Sequence, residues 1–231
     1  MLELFPEGFE ELDRDGDVEL AAYTGSGGEE RLWQAFGPGR GAPVAADWRD
    51  AWKRFHRPVR VGPLWIGPPW EKADAGSTPV VIDPGRAFGT GSHATTRLSL
   101  ELLLTLEPGS LLDVGSGSGV LAIAAAKLGF APVTALDHDA AAVETAWANA
   151  RTNGVTFDIQ KADALTGHLP EADVTVANVT LEAAEKLVSR VRSRVFVVSG
   201  YVARERPTAP GWRRAARRES GGWAADLLVR G

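Results

Sequence analysis

The sequence predicts an α/β fold: a mostly parallel, seven-stranded sheet with helices on both faces, preceded by a small N-terminal α+β element. Three observations favour this fold. Short apolar runs alternate with helical patterns from residue 111 onwards, a glycine-rich turn joins the first run to its helix, and the chain closes with a hairpin pattern. Such alternation is typical of parallel sheets, which bind ligands at the carboxyl ends of their strands.

The central unit is LLDVGSGSGVLAIAAAKLG, residues 111–129. Its apolar start predicts a buried strand, and its second half predicts a helix that stops at Gly129. Between them lie Gly115, Gly117 and Gly119, where a backbone without side chains can approach a ligand and free N–H groups at the helix start favour acceptor atoms. A tight turn without a ligand is the alternative that the glycines alone leave open.

A carboxylate follows the next predicted strand. Pro132 to Leu136 is apolar and ends at Asp137, about 20 residues beyond the glycines, where a doubly wound sheet holds a ribose diol. The glycine spacing is G-x-G-x-G, and Val120 stands where a dinucleotide fingerprint needs its third glycine. Phosphate-loop and nucleophile-elbow motifs do not fit either. The pattern therefore predicts that a nucleoside binds here.

Further strands complete the predicted sheet. They are Val155 to Ile159, Asp173 to Ala177, Val195 to Ser199, and a hairpin from Arg213 to Val229 that turns at Gly221-Gly222. The helix at 140–152 carries Trp147 on its apolar side. Asp163, just beyond the third strand, is a candidate acceptor for an adenine amino group. A surface-loop carboxylate is the alternative there.

A second glycine-containing loop, at residues 83–94, precedes the central unit. We expect Thr95 or Thr96 to cap the helix that follows it. Because this loop leads into the glycine unit, we expect both to close over one ligand, with Phe88 and His93 in a lid or at the substrate. A static loop is the alternative.

The domain prediction has three parts: a small α+β element at 1–66, which includes one strand over 59–66, a linker at 67–78 and a main domain at 79–231. Hydrophobic content is 44% and charged content 24%, as in ordinary globular proteins. No apolar run approaches the roughly 20 residues of a membrane span, and the start of the sequence lacks the form of a signal peptide. With no cysteine and four scattered histidines, we expect no metal and a cytoplasmic location.

The charge is uneven along the chain. The net charge of −5 argues against an extended nucleic-acid-binding face. Residues 1–30 contain ten acidic residues and one arginine, which indicates either a solvated face or a surface that attracts a basic protein.

The combined motifs resemble a known family. DPGRAFGTGSHATT at 83–96, LDVGSGSG at 112–119, DHD at 137–139 and ANV at 177–179 are similar to the bacterial methyltransferases of large-subunit ribosomal protein L11. The resemblance covers residues 45–200 and implies a Rossmann-like class I methyltransferase fold with S-adenosylmethionine as cofactor. The cofactor-binding residues that we predict are Thr96 (or its neighbour Thr95), Gly115, Gly117, Asp137, Asp163 and Asn178.

The chain departs from this family at its front. Family members usually carry a longer N-terminal module that docks the ribosomal protein, and here only the residues before Asp47 are available for it. We expect a monomer whose partner is ribosomal protein L11, with no membrane and no direct nucleic-acid binding. A lysine of another protein or a small-molecule amine is the alternative substrate. A non-catalytic cofactor-binding module is a further alternative, while Val120 disfavours an oxidoreductase.

The expected chemistry is methyl transfer to an amine. Methyltransferases acting on planar nitrogens typically carry Asn/Asp-Pro-Pro-aromatic after the fourth strand, and this chain has Asn178-Val179-Thr180. We therefore assign Asn178 the catalytic role of orienting an sp³ amine through its side-chain oxygen, with positioning as the main source of acceleration. An α-amine has a reference pKa of about 8, whereas a lysine near 10.4 costs roughly 4 kcal/mol to deprotonate at about pH 7.5. No Glu or His marks the proton acceptor.

Overall fold

A computed structural model describes residues 10–14, 17–21, 34, 57–83 and 91–231 of the chain. It divides the chain into two compact units, Met1–Ala51 and Trp52–Gly231. In the first unit, strands β1 (Glu10–Arg14) and β2 (Asp17–Ala21) pair antiparallel.

The second unit contains the remaining elements. The strands are β3 (Val59–Val61), β4 (Leu64–Gly67), β5 (Thr78–Val81), β6 (Leu111–Val114), β7 (Val133–Asp137), β8 (Asp158–Lys161), β9 (Val174–Asn178), β10 (Val195–Val202), β11 (Trp212–Ser220) and β12 (Trp223–Arg230). The helices are α1 (Ala94–Leu103), α2 (Val120–Lys127), α3 (Ala140–Thr152) and α4 (Leu181–Val188). Within the described parts of the chain, no helix has the length and apolar character that crossing a bilayer requires.

Seven strands form the large sheet in the order β11-β12-β10-β9-β6-β7-β8. The strands from β10 to β8 are parallel, and β12 and β11 add antiparallel at one edge. This confirms the predicted mostly parallel, seven-stranded sheet with a closing hairpin. Along the chain, β7 and β8 are added on one side of β6, and β9 and β10 are then added on the other side. The switch point of the sheet, where such folds bind ligands, therefore lies between β6 and β9.

Both faces of the sheet are covered. Side chains alternate along β6, so that Leu111 packs in one core and Leu112 and Val114 pack in the other. Helices α1 and α2 contribute to the core of Leu111, and α4 contributes to the core of Leu112. The prediction of helices on both faces is confirmed.

The predicted strand at 59–66 is two strands. Gly62, at φ 54°, and Pro63 form a tight turn between β3 and β4, which pair antiparallel, and β4 then pairs in parallel with β5. Leu64, Ile66 and Val80 from this small sheet belong to the same core as Leu111. The division between Ala51 and Trp52 thus differs from the predicted boundary after residue 66, and the predicted linker connects two strands of one sheet.

Two local predictions were wrong in detail. The third strand begins at Asp158 rather than Val155, because β8 is a mostly exposed edge strand whose apolar signal is weak. Trp147 is 50% exposed although the helical pattern placed it on the apolar side of α3.

Candidate functional site

The candidate site lies where three neighbouring parallel strands end. β6 pairs with β7 on one side and with β9 on the other. Gly115 directly follows β6, Asp137 is the last residue of β7, and Asn178 is the last residue of β9. Since the carboxyl ends of parallel strands share one edge, the structure brings these three predicted residues to the same edge of the sheet, with Gly115 and Asn178 at the switch point and Asp137 on the next strand.

The glycine turn needs residues without side chains. Gly115, Gly117 and Gly119 have φ values of 70°, 53° and 81°, in the left-handed region that other residues rarely adopt. A Cβ on Gly119 would lie 3.0 Å from the Cβ of Ala146 on α3, so this glycine also permits close packing of α2 against α3. Gly115 is exposed, which leaves its backbone accessible to a ligand.

Asp137 links the glycine turn to β7. Its Oδ2 accepts a hydrogen bond of 2.8 Å from the Gly117 N–H, and its Oδ1 accepts one of 3.0 Å from the Asp139 N–H. The side chain of Asp137 is largely buried, whereas His138, 3.5 Å from Oδ1, is exposed. Each oxygen of a carboxylate can accept more than one hydrogen bond. The carboxylate therefore retains capacity for a hydroxyl pair while it positions the turn.

A second carboxyl group, which sequence reasoning missed, lies beneath the turn. Asp113 on β6 is fully buried; its Oδ2 accepts from the Ala122 N–H at 3.1 Å, and its Oδ1 has no hydrogen-bond partner among the described residues. Burial raises the pKa of Asp113 to about 7; the Ala122 hydrogen bond opposes this rise, and the charge of Asp137 adds to it. The sequence signal that could have identified this group is the position of Asp113 inside the apolar run LLDV, which predicts a buried carboxyl group.

The structure distinguishes the two candidate threonines. The Asn178 side-chain NH₂ donates to the Thr96 hydroxyl at 3.3 Å, which places Thr96 beside the end of β9. Thr95 contacts His93 instead, with 2.7 Å between its hydroxyl oxygen and the His93 Nδ1. His93 is the N-cap of α1 and accepts from the Thr95 N–H, so the prediction of a threonine cap was wrong. The cap lies two residues before Thr95 because α1 begins at Ala94.

His93 also contacts the C-terminal hairpin. Its ring meets that of Trp223 edge-on, with 4.9 Å between the centroids. No sequence pattern pairs these two residues, which lie at the start of α1 and the start of β12. Phe88 lies outside the described residues, and the lid or substrate role of Phe88 and His93 stays a prediction.

Asp163 is exposed and closes its own turn. Its Oδ1 accepts from the Leu165 N–H and its Oδ2 from the Thr166 hydroxyl, both at 2.8 Å. These bonds, the first more than the second, lower the pKa of Asp163. The carboxylate follows β8, next to β7, so it lies on the Asp137 side of the site; a contact with adenine stays a prediction.

Gly200 is a further site residue that the sequence reasoning missed. It lies in β10 at φ 110°, and a Cβ there would be 2.0 Å from the carbonyl oxygen of Val179. The Val179 N–H donates to the Ser199 carbonyl at 2.9 Å, so the backbone just beyond Asn178 packs directly on β10. A glycine inside an otherwise apolar strand was the signal of this close approach.

Comparison with known proteins places the chain in a family. The model of the family described as Ribosomal protein L11 methyltransferase (PrmA) matches residues 43–206, which is most of the chain. The chain belongs to this family. Among curated members, the enzyme of Caldicellulosiruptor bescii is 43% identical over 165 residues, which is 68% of this chain, and that of Lacticaseibacillus paracasei is 40% identical over 204 residues, or 80% of this chain.

The fold agrees with a solved family structure. The ribosomal protein L11 methylase of Lactobacillus delbrueckii subsp. bulgaricus superposes with a TM-score of 0.69 at 28% sequence identity, covering 76% of this chain and 99% of that one. The expected class I methyltransferase fold is thereby confirmed. The curated relatives are longer: the chain spans 54% of the Caldicellulosiruptor protein and 65% of the Lacticaseibacillus protein.

Proposed function

We propose that this chain is a protein N-methyltransferase that uses S-adenosylmethionine to methylate amines of ribosomal protein L11, at lysine side chains, the N-terminal α-amine or both. The observation that carries the proposal is that the glycine turn, Asp137 and the Asn178–Thr96 pair lie at the carboxyl ends of three adjacent strands, at and beside the switch point of the sheet. Family membership supports the reaction class.

The residues at the turn fit a nucleoside cofactor. A Cβ at Gly115 would lie 3.0 Å from the Val179 Cγ1, so a side chain there would narrow the space beside this exposed glycine. Asp137 would accept from the ribose hydroxyls, and Asp163 would accept from the adenine amino group at the neighbouring strand end. Gly117 would hold the Asp137 carboxylate in place. When bound, S-adenosylmethionine supplies an activated methyl group.

Asn178 is the residue to which we assign amine orientation. Because its NH₂ group donates to Thr96, its side-chain oxygen is the group left to accept from a substrate amine. That oxygen would align the amine lone pair and would interact more strongly with the nitrogen as positive charge develops on it. Thr96 holds the amide in this orientation, and Gly200 permits the close backbone packing just beyond it.

The choice of a protein substrate has separate support. Ten of the first 30 residues are acidic, which favours a basic partner through electrostatic attraction that speeds association. We propose that the first unit, Met1–Ala51, contributes to docking and that the protein acts as a cytoplasmic monomer without a membrane or nucleic-acid partner. A lysine of another protein and a small-molecule amine remain competing substrates.

A methylation assay tests the proposal. The full chain is incubated with labelled S-adenosylmethionine and purified ribosomal protein L11, and the modified residues are mapped by mass spectrometry. Asn178→Ala should lower kcat/KM by about 100-fold, since it removes a hydrogen bond to a group that becomes charged. Glu171→Gln, which changes an exposed ion pair with Arg192, is the matched control and should retain full activity.

Two results would contradict this assignment. If the labelled methyl group enters another cellular protein or a small amine and none enters ribosomal protein L11, the proposed substrate is wrong. Full activity of Asn178→Ala would remove Asn178 from its role. Rising salt should lower kcat/KM for a docked basic protein and leave that for a small amine nearly unchanged.

A further inference from the structure

Asn149 on α3 and Asn153, the C-cap that follows α3, bind the end of β5 with the paired hydrogen bonds of a neighbouring strand. Asn153 accepts from the Val81 N–H at 2.9 Å and donates to the Val81 carbonyl at 2.6 Å. Asn149 repeats the pattern two residues further, accepting from the Asp83 N–H at 3.0 Å and donating to the Asp83 carbonyl at 3.3 Å. A spacing of four residues places both amides on one face of the helix.

Only Asn149 makes an additional bond to the glycine turn. Its side-chain NH₂ donates to the Ser118 carbonyl at 3.0 Å, whereas the corresponding group of Asn153 donates to the Asn149 carbonyl of its own helix. Asn149 and Ser118 are both buried, so water does not replace this bond if it is lost. Within the part of the chain that the structure describes, the Asn149 side chain thus joins the end of β5 to the back of the turn.

The position of this bond affects the cofactor side of the turn. The Ser118 carbonyl belongs to the peptide unit that precedes Gly119, the N-cap of α2, which has no side-chain capping bond. On the opposite side, the Gly117 N–H is held by Asp137. Backbone bonds hold the Gly115 and Ser116 N–H groups to the Leu136 carbonyl and the Gly119 N–H to the Ser116 carbonyl. The Asn149 and Asp137 side chains add bonds at the Ser118 carbonyl and the Gly117 N–H, so loss of the Asn149 bond should loosen the Ser118–Gly119 peptide.

We infer that Asn149 is a positioning residue for cofactor binding, which sets the glycine turn by linking it to the end of β5. The cofactor part of this inference rests on the proposed function. The structural part rests on the hydrogen bonds alone and is testable without any ligand.

The first experiment measures amide hydrogen exchange in the full chain without cofactor, comparing Asn149→Ala with Asn153→Ala. Asn149→Ala should speed exchange at Asp83 and at Gly117 and Gly119. Asn153→Ala should speed exchange at Val81 and leave the glycine turn at the wild-type rate. Equal exchange of the turn in both variants and wild type would overturn the inference.

A second substitution covers the case in which the alanine variant does not fold. Asn149→Asp keeps the shape and the acceptor for the Asp83 N–H but lacks the NH₂ donor for the Ser118 carbonyl and for the Asp83 carbonyl. It should speed exchange at the turn while Asp83 stays protected. Unchanged exchange at the turn in this variant would also overturn the inference.

The cofactor readout is the Kd for S-adenosylmethionine by calorimetry. Substitution of Asn149 should raise Kd about tenfold, the effect of one buried hydrogen bond on a binding site, and substitution of Asn153 should leave it within about twofold. Equal increases in both variants would show a general loss of stability and refute the positioning role. If wild type does not bind S-adenosylmethionine, the proposed function fails while the exchange experiment still tests the structural link.

Discussion

The Asp113 carboxyl group should make the stability of this protein depend on pH in a defined direction. The side chain is fully buried on β6, and burial raises its pKa from 3.8 to about 7. Unfolding exposes the group to water and returns its pKa to the ordinary value. The folded state therefore favours the protonated carboxyl more than the unfolded state does.

The sign and size of the effect follow from this difference. The stabilising contribution is complete below the unfolded pKa of 3.8 and is lost as the pH rises through about 7. A difference of roughly 3 pKa units corresponds to about 4 kcal/mol, with a slope near 1.4 kcal/mol per pH unit. Asp113→Asn cannot ionise and should lack this dependence. Relative to wild type, its free energy of unfolding should thus rise by about 4 kcal/mol between about pH 4 and 7.5.

The assay is urea unfolding of both proteins at fixed ionic strength over this pH range. The buried NH₂ group of Asp113→Asn lowers stability at every pH, so the difference in slope is the quantity to compare. Asp173→Asn is the control, because hydrogen bonds from Ser110 lower the pKa of Asp173 and confine its contribution to lower pH. Parallel curves for wild type and Asp113→Asn would refute the reasoning.

Two further substitutions test the site directly. Asp137→Ala should raise the Kd for S-adenosylmethionine by roughly 10- to 150-fold, equivalent to about 1.5–3 kcal/mol for hydrogen bonds to a charged group; unchanged affinity by calorimetry would remove Asp137 from the site. Gly200→Ala should lower the free energy of unfolding by about 2 kcal/mol more than Gly222→Ala, because both glycines have positive φ but only the Cβ at Gly200 meets the Val179 backbone. If urea unfolding shows similar losses of unfolding free energy in Gly200→Ala and Gly222→Ala, the close packing at Gly200 is contradicted.

The sequence by itself determined the features that depend on neighbours along the chain. The glycine turn, its flanking strand and helix, and the hairpin that turns at Gly221-Gly222 were predicted and are present. Asp137 lies beside the glycine turn and accepts from the Gly117 N–H, because consecutive parallel strands joined by one helix usually lie side by side. Local pattern and short connections were sufficient for these parts.

The contacts between distant segments were decided by the tertiary structure. β9 pairs with β6 across two intervening strands of sequence, and this places Asn178 against Thr96 rather than Thr95. The same packing buries Asp113 and joins Asn149 to Ser118. Periodicity shows that a residue faces inward, but which group it meets depends on strand order and helix placement. The partners of these buried polar groups, and hence their pKa values and roles, follow only from the packed fold.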